Sequence, residues 1–194
     1  MCKEGSYLSM RQVDVLMKDM HPGRVQILDG FSHLEAFDVR ACLNRVFGFG
    51  RWDEVNVDSP KLLYADPHKL KSGTEGIKVA YLSHRRLTVR SPNGTFLCEY
   101  EAAAVGESTM PLFKRGDAYD MALKTAESQA LKRCAISLGC QFGLGLYADG
   151  SLKDPVKVCL VQGEDLSDEL VKAVEQATVE LGAMIVSPVE ASAT

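Results

Sequence analysis

A chain of 194 residues that is 46% hydrophobic can bury one sizeable core but hardly two full domains, and no apolar run approaches the roughly 18 residues of a membrane helix. The net charge of −4 speaks against a histone-like polycation. The charge is uneven: residues 1–148 hold 19 Lys and Arg against 17 Asp and Glu, while residues 149–194 hold 3 against 9, so a near-neutral domain precedes an acidic tail.

The N-terminus lacks the apolar stretch of a signal peptide, and the six cysteines are scattered without a C-x-x-C pair, so a cytoplasmic protein with reduced thiols is expected. Ser9-Met10-Arg11-Gln12 reads as a capping box opening a helix to about Met20, and His21-Pro22-Gly23 ends it just before Arg24. A second box, Ser32-His33-Leu34-Glu35, predicts a helix through Phe47 with Leu34, Phe37, Ala41, Leu43, Val46 and Phe47 apolar and Gly48 closing it.

The period then changes to that of strands. Trp52 to Tyr64, Gly76 to Ser91 and Thr95 to Val105 alternate or are β-rich, and Pro92-Asn93-Gly94 supplies a hairpin turn between the last two. In the middle run Ile77, Val79, Tyr81, Leu87 and Val89 share one face, and Lys78, His84, Arg86, Thr88 and Arg90 the other, which therefore reads as basic. Arg85 breaks the alternation and predicts a bulge between Ser83 and Arg86. Gly106 to Gly116 reads as a loop.

From Asp117 to Gly139 small and apolar residues recur at helical spacing: Ala118, Met121, Ala122, Ala126, Ala130, Leu131, Cys134, Ala135 and Leu138. Lys124, Ser128 and Lys132 follow at i, i+4 and i+8 as a polar ridge, with Arg133 a quarter-turn further round. Such a ridge can meet a polyanion. Lys153 to Val161 predicts one more extended piece, Leu166 to Leu181 an amphipathic helix, and Ser187 to Thr194 disorder. The fold class expected is α+β: an antiparallel three-stranded β-meander packed on a long helix, preceded by helices and followed by the acidic helical tail.

No G-x-x-x-x-G-K-[ST] phosphate loop occurs, Gly48-x-Gly50 and Gly143-x-Gly145 are too short for a dinucleotide fingerprint, and the four histidines lie in separate segments. No cofactor is expected. Asp117, Asp120 and Glu127 are the carboxylates a metal-dependent nuclease would use, although the first two are sufficiently explained at a helix start. On residues alone, a non-catalytic domain with a basic sheet face and a basic helix ridge fits best.

Several segments, in order and spacing, resemble the Rad fifty-two (Rad twenty-two) family of single-strand annealing proteins. Phe47-Gly48-Phe49-Gly50-Arg51-Trp52 is similar to the family's F-G-[YF]-x-x-W at a junction of helix and strand, except that eukaryotic members place a small or polar residue and glycine at Gly50-Arg51. Ala130-Leu131-Lys132-Arg133, Leu138-Gly139, Gly143 and Leu146-Tyr147 are similar to its A-L-K-R, F-G and L-G-x-x-L-Y series. The resemblance covers about Met20 to Tyr147 and implies a homo-oligomer, ring or helical, holding single-stranded DNA in a basic groove without nucleotide hydrolysis. It places Lys132 and Arg133 on the family's basic pair and Arg24 on a preceding arginine, while Lys124, Arg86 and Arg90 enter as candidate contacts on ridge and strand position alone. The short chain resembles the phage or bacterial form, with the acidic tail free to dock a host single-strand-binding protein or the replication machinery. The expected function is ATP-independent annealing of complementary strands in recombination and break repair. Its rivals are protection of DNA ends without annealing, the nuclease, and a protein-binding adaptor.

Overall fold

The computed structural model describes residues 8–28 and 30–146, so the expected acidic tail, with its extended piece and its terminal helix, lies outside the described residues. Helix α1 (Met10–Met17) opens on the capping box read from the sequence: Ser9 Oγ accepts from the Gln12 amide, and Gln12 Oε1 accepts from the Ser9 amide at 3.0 Å. It ends three residues early, because Lys18 is already extended at ψ 143°. A 3-10 turn, Pro22–Arg24, leads into a hairpin of β1 (Gln26–Leu28) and β2 (Phe31–His33).

The second capping box does not form. Ser32 and His33 lie in β2, with His33 opposite Gln26, and α2 (Ala36–Phe47) starts behind Glu35 without a side-chain cap. Ladder bonds to β1 take the backbone that the local motif would have used. The buried side of α2 is Val39, Cys42, Leu43 and Phe47, whereas Phe37 is 72% exposed.

The large sheet has four antiparallel strands, one more than the expected meander. Its spine is β5 (Glu75–Arg90), paired along one edge by β3 (Trp52–Asn56) and β4 (Lys61–Lys69) and along the other by β6 (Phe96–Pro111). The single run expected from Trp52 to Tyr64 breaks at residues 57–60, where Asp58-Ser59-Pro60 favours a turn and Pro60 has no amide to donate. The hairpin turn at Pro92–Gly94 forms as read: Gly94 takes φ 87°, and the Ser91 amide donates to Thr95 O.

Strand β6 runs on through the segment expected to be a loop, with Gly106 opposite Tyr81 and Met110 opposite Ile77. Gly106 serves a close approach instead of a turn. A Cβ there would lie 2.8 Å from Ala126 Cα and nearer still to the Ala126 amide and the Ala122 carbonyl, so helix α3 (Arg115–Ile136) rests directly on the strand. The alanines at 118, 122, 126 and 130 are fully buried and form the facing stripe. Larger side chains complete the core at the far end, where Leu131 and Cys134 pack with Leu87, Val89, Leu43 and Phe142. Beyond α3, Gly139 adopts φ 126°, and a Cβ would sit 2.8 Å from Leu16 O, which ties the helix exit to the end of α1.

The pairing of β5 with β6 is continuous from Gly76 to Val89, and the irregularities fall at Leu62/Tyr64 in β4 and at Val89/Arg90. The expected bulge between Ser83 and Arg86 is therefore replaced by unbroken alternation. Ser83 and Arg85 join Val79, Leu87 and Val89 on the side covered by α3, Ser83 fully buried and the Arg85 side chain 12% exposed.

Candidate nucleic-acid interface

Lys132 is not on an exposed ridge. It is 9% exposed, and its ammonium lies 3.3 Å from both Nδ1 and Nε2 of His33. Residue 132 falls next to the core residue Leu131, so the helix turn that aims Leu131 inward carries Lys132 under the β1–β2 hairpin. Among the described residues no carboxylate lies within 4 Å of the ammonium; Glu35, before α2, acts on it only through its field. Burial accordingly lowers the pKa of Lys132, and burial together with the lysine's charge lowers that of His33. The result is a desolvated cation beside a neutral ring, without a counter-ion among the described residues.

Arg24 also borders the first turn of α2, and there its charge is fully matched. Its Nε and Nη2 grip the Asp38 carboxylate, with Nη2 at 2.8 Å, while Nη1 donates to Gln141 Oε1 at 2.8 Å and Nη2 to Gln141 O at 3.0 Å. The bond to Asp38 raises its pKa, and the guanidinium stays charged. Gln141 turns its amide to Lys18 O and Asp19 O, so one buried side chain joins the end of α1 to the 3-10 turn, and Arg24 carries the link on to α2 through Asp38. Arg24 thus holds the floor of the region together.

The other four candidates are dispersed. Arg133 donates from Nη1 to Ala103 O at 2.7 Å on β6 and is otherwise exposed. Lys124 is bonded to Asp120 one turn earlier, at 2.6 Å. Arg86 and Arg90 lie on the sheet face opposite α3, where Arg86 meets Glu99 and Glu101 and Arg90 meets Asp53. That face, read as basic, carries a ladder of matched charges, since Lys78 also pairs with Glu107 and His84 lies 3.6 Å from Asp58 and 3.4 Å from Glu101.

Compared with known protein families, residues 8–164 match the model described as "Rad52/22 family double-strand break repair protein". The chain belongs to the Rad52/22 family. Membership places it in the repair of DNA double-strand breaks and in recombination. No curated protein matches the chain.

In this Rad52/22 chain the carboxylates a nuclease would need do not converge. Glu127 accepts from Asn56 at 3.4 Å and faces Arg85 at 3.6 Å, Asp120 holds Lys124, and no group of three metal-ligating side chains occurs among the described residues. Among those residues no helix is long and apolar enough to cross a membrane. Sequence reasoning misses His33, which reads as an interior position of a capping box, and Gln141, which lies between Gly139 and Gly143. The strongest hint for Gln141 is composition: a glutamine inside the apolar series from Leu138 to Leu146 needs several partners once it is buried.

Proposed function

We propose that this Rad52/22 protein binds single-stranded DNA through its phosphates and anneals complementary strands without a nucleotide, working as a homo-oligomer. The observation that supports this most directly is the Lys132 ammonium, which has no ion-pair partner among the described residues. A surface lysine in water needs no partner, but one held at 9% exposure loses hydration that no carboxylate among the described residues replaces. A phosphate oxygen would supply the missing charge. Arg133, next along α3 and mostly exposed, is suited to a neighbouring phosphate, and Arg24 keeps the hairpin and α2 in place around the lysine. Contacts of this kind carry no base preference, which annealing of arbitrary sequences requires. With the phosphates held, the bases stay free to pair, and pairing provides the driving force. The acidic tail, which repels DNA, is assigned to a protein partner.

The test is annealing of complementary fluorescent oligonucleotides without nucleotide, comparing wild type with Lys132→Ala/Arg133→Ala at matched oligomer size. Acceleration by the wild type and its loss in the folded double variant are expected. Binding without faster pairing would favour end protection, and no binding would remove the DNA reading.

A further inference from the structure

A phosphate on Lys132 leaves the neighbouring His33 without a role. The backbone of His33 is held by the ladder to β1 and followed by the almost fully buried Leu34, and its ring stands 3.3 Å from the lysine ammonium through both nitrogens. An ammonium aligned with one ring lone pair would lie much farther from the other nitrogen, so equal distances place it against the ring as a whole. An anionic oxygen bonded to that ammonium acts on the imidazole through its field. Taking the phosphate site at Lys132 as its basis, we propose that His33 is the proton-dependent half of that site: strand binding draws a proton onto its imidazole, and single-stranded DNA is held more tightly as the pH falls.

The charged groups facing His33 decide the direction. Among the described residues they are Lys132 from α3 and Glu35 from the turn before α2, while β1 places the uncharged Gln26 opposite. In the free protein burial disfavours the charged ring and a second positive charge beside Lys132 is repelled, while the exposed Glu35 offsets this only in part, so the ring is neutral at pH 7. A phosphodiester on Lys132 reverses the local field. It remains an anion throughout the range in which imidazole titrates, so the added proton goes to the ring, which then presents two N–H donors and no acceptor. The histidine pKa is therefore higher in the complex than in the free protein. Tightening is complete below the free pKa and absent above the bound one, with a slope of at most about tenfold in affinity per pH unit for each proton taken up.

The experiment measures affinity for a fluorescent oligothymidine between pH 8.5 and 6 at fixed salt. It also counts protons by calorimetry in two buffers of different ionisation heat, for the full chain, His33→Gln and Lys132→Arg. Wild type should bind more tightly toward pH 6 and take up protons. His33→Gln should match it at pH 8.5 and stay flat below, and Lys132→Arg, whose guanidinium does not titrate, should keep the dependence. A wild type with flat affinity and no proton uptake overturns the proposal even if His33→Gln does not fold, as does a dependence that survives in His33→Gln. Either result leaves the phosphate site standing. If instead wild type binds no DNA, or Lys132→Ala binds as wild type does, the phosphate site itself fails.

Discussion

A cation with 9% exposure and no carboxylate within 4 Å among the described residues costs folding energy, and Lys132 meets both conditions. Replacing it with methionine, which fills similar space without charge, should stabilise the protein by about 1 kcal/mol in urea unfolding at fixed protomer concentration while abolishing strand binding. The pH dependence has a definite sign. The folded-state pKa of Lys132 lies below its unfolded value, so between the two the unfolded chain holds more protons and stability rises with pH. Wild type should gain that increment as the pH climbs toward the ordinary lysine range, and Lys132→Met should not. Arg24 should behave oppositely. Its alanine variant leaves Asp38 and Gln141 Oε1 without the donors that Arg24 supplies and Gln141 O with only the Cys42 thiol, so a loss of about 2–4 kcal/mol is expected in the same assay. A strand-binding defect at Arg24 would then accompany loss of stability, whereas at Lys132 the two move apart.

The close approach of α3 to β6 depends on one missing side chain. Gly106→Ala would drive a methyl group into the backbone of Ala122 and Ala126, which cannot rotate away, so α3 must lift from the sheet at a cost of about 3 kcal/mol or more in unfolding assays. Gly116→Ala is the control: a Cβ there meets nothing within 4 Å, and helix propensity alone should stabilise by about 0.5 kcal/mol. These two glycines also show what a sequence can tell. The alanine spacing of α3 and the Pro92–Gly94 turn are legible because their signals are local. Gly106 reads as the start of a loop because a glycine in a strand pattern marks either a turn or a close approach, and the helix that decides between them comes later in the chain. Ser32 to Glu35 reads as a cap for the same reason, since the competing partner is β1. Lys132 reads as a ridge residue because the pattern of α3 says nothing of the hairpin that covers it. Arg85 reads as a bulge because alternation alone gives no ground for a buried arginine on the face toward α3.

At the scale of the whole molecule, the sheet separates two kinds of positive charge. On the face away from α3, Arg86, Arg90 and Lys78 are each matched by Glu99, Glu101, Asp53 or Glu107. Where α3 meets the hairpin and α2, neither Lys132 nor Arg133 has an ion-pair partner among the described residues. Long-range attraction of a strand depends on the local excess of charge, and a matched ladder provides little of it. The strand should therefore run past the end of α3 and avoid the outer sheet face, and salt dependence can report the path. Removing one phosphate-neutralising side chain should reduce the slope of log affinity against log salt by about 0.7 for a single strand. Lys132→Ala and Arg133→Ala should each lower the slope by that amount, and Arg86→Ala and Arg90→Ala should leave it unchanged. If the latter pair flattens the slope instead, the ladder opens to admit DNA and the strand crosses the outer face.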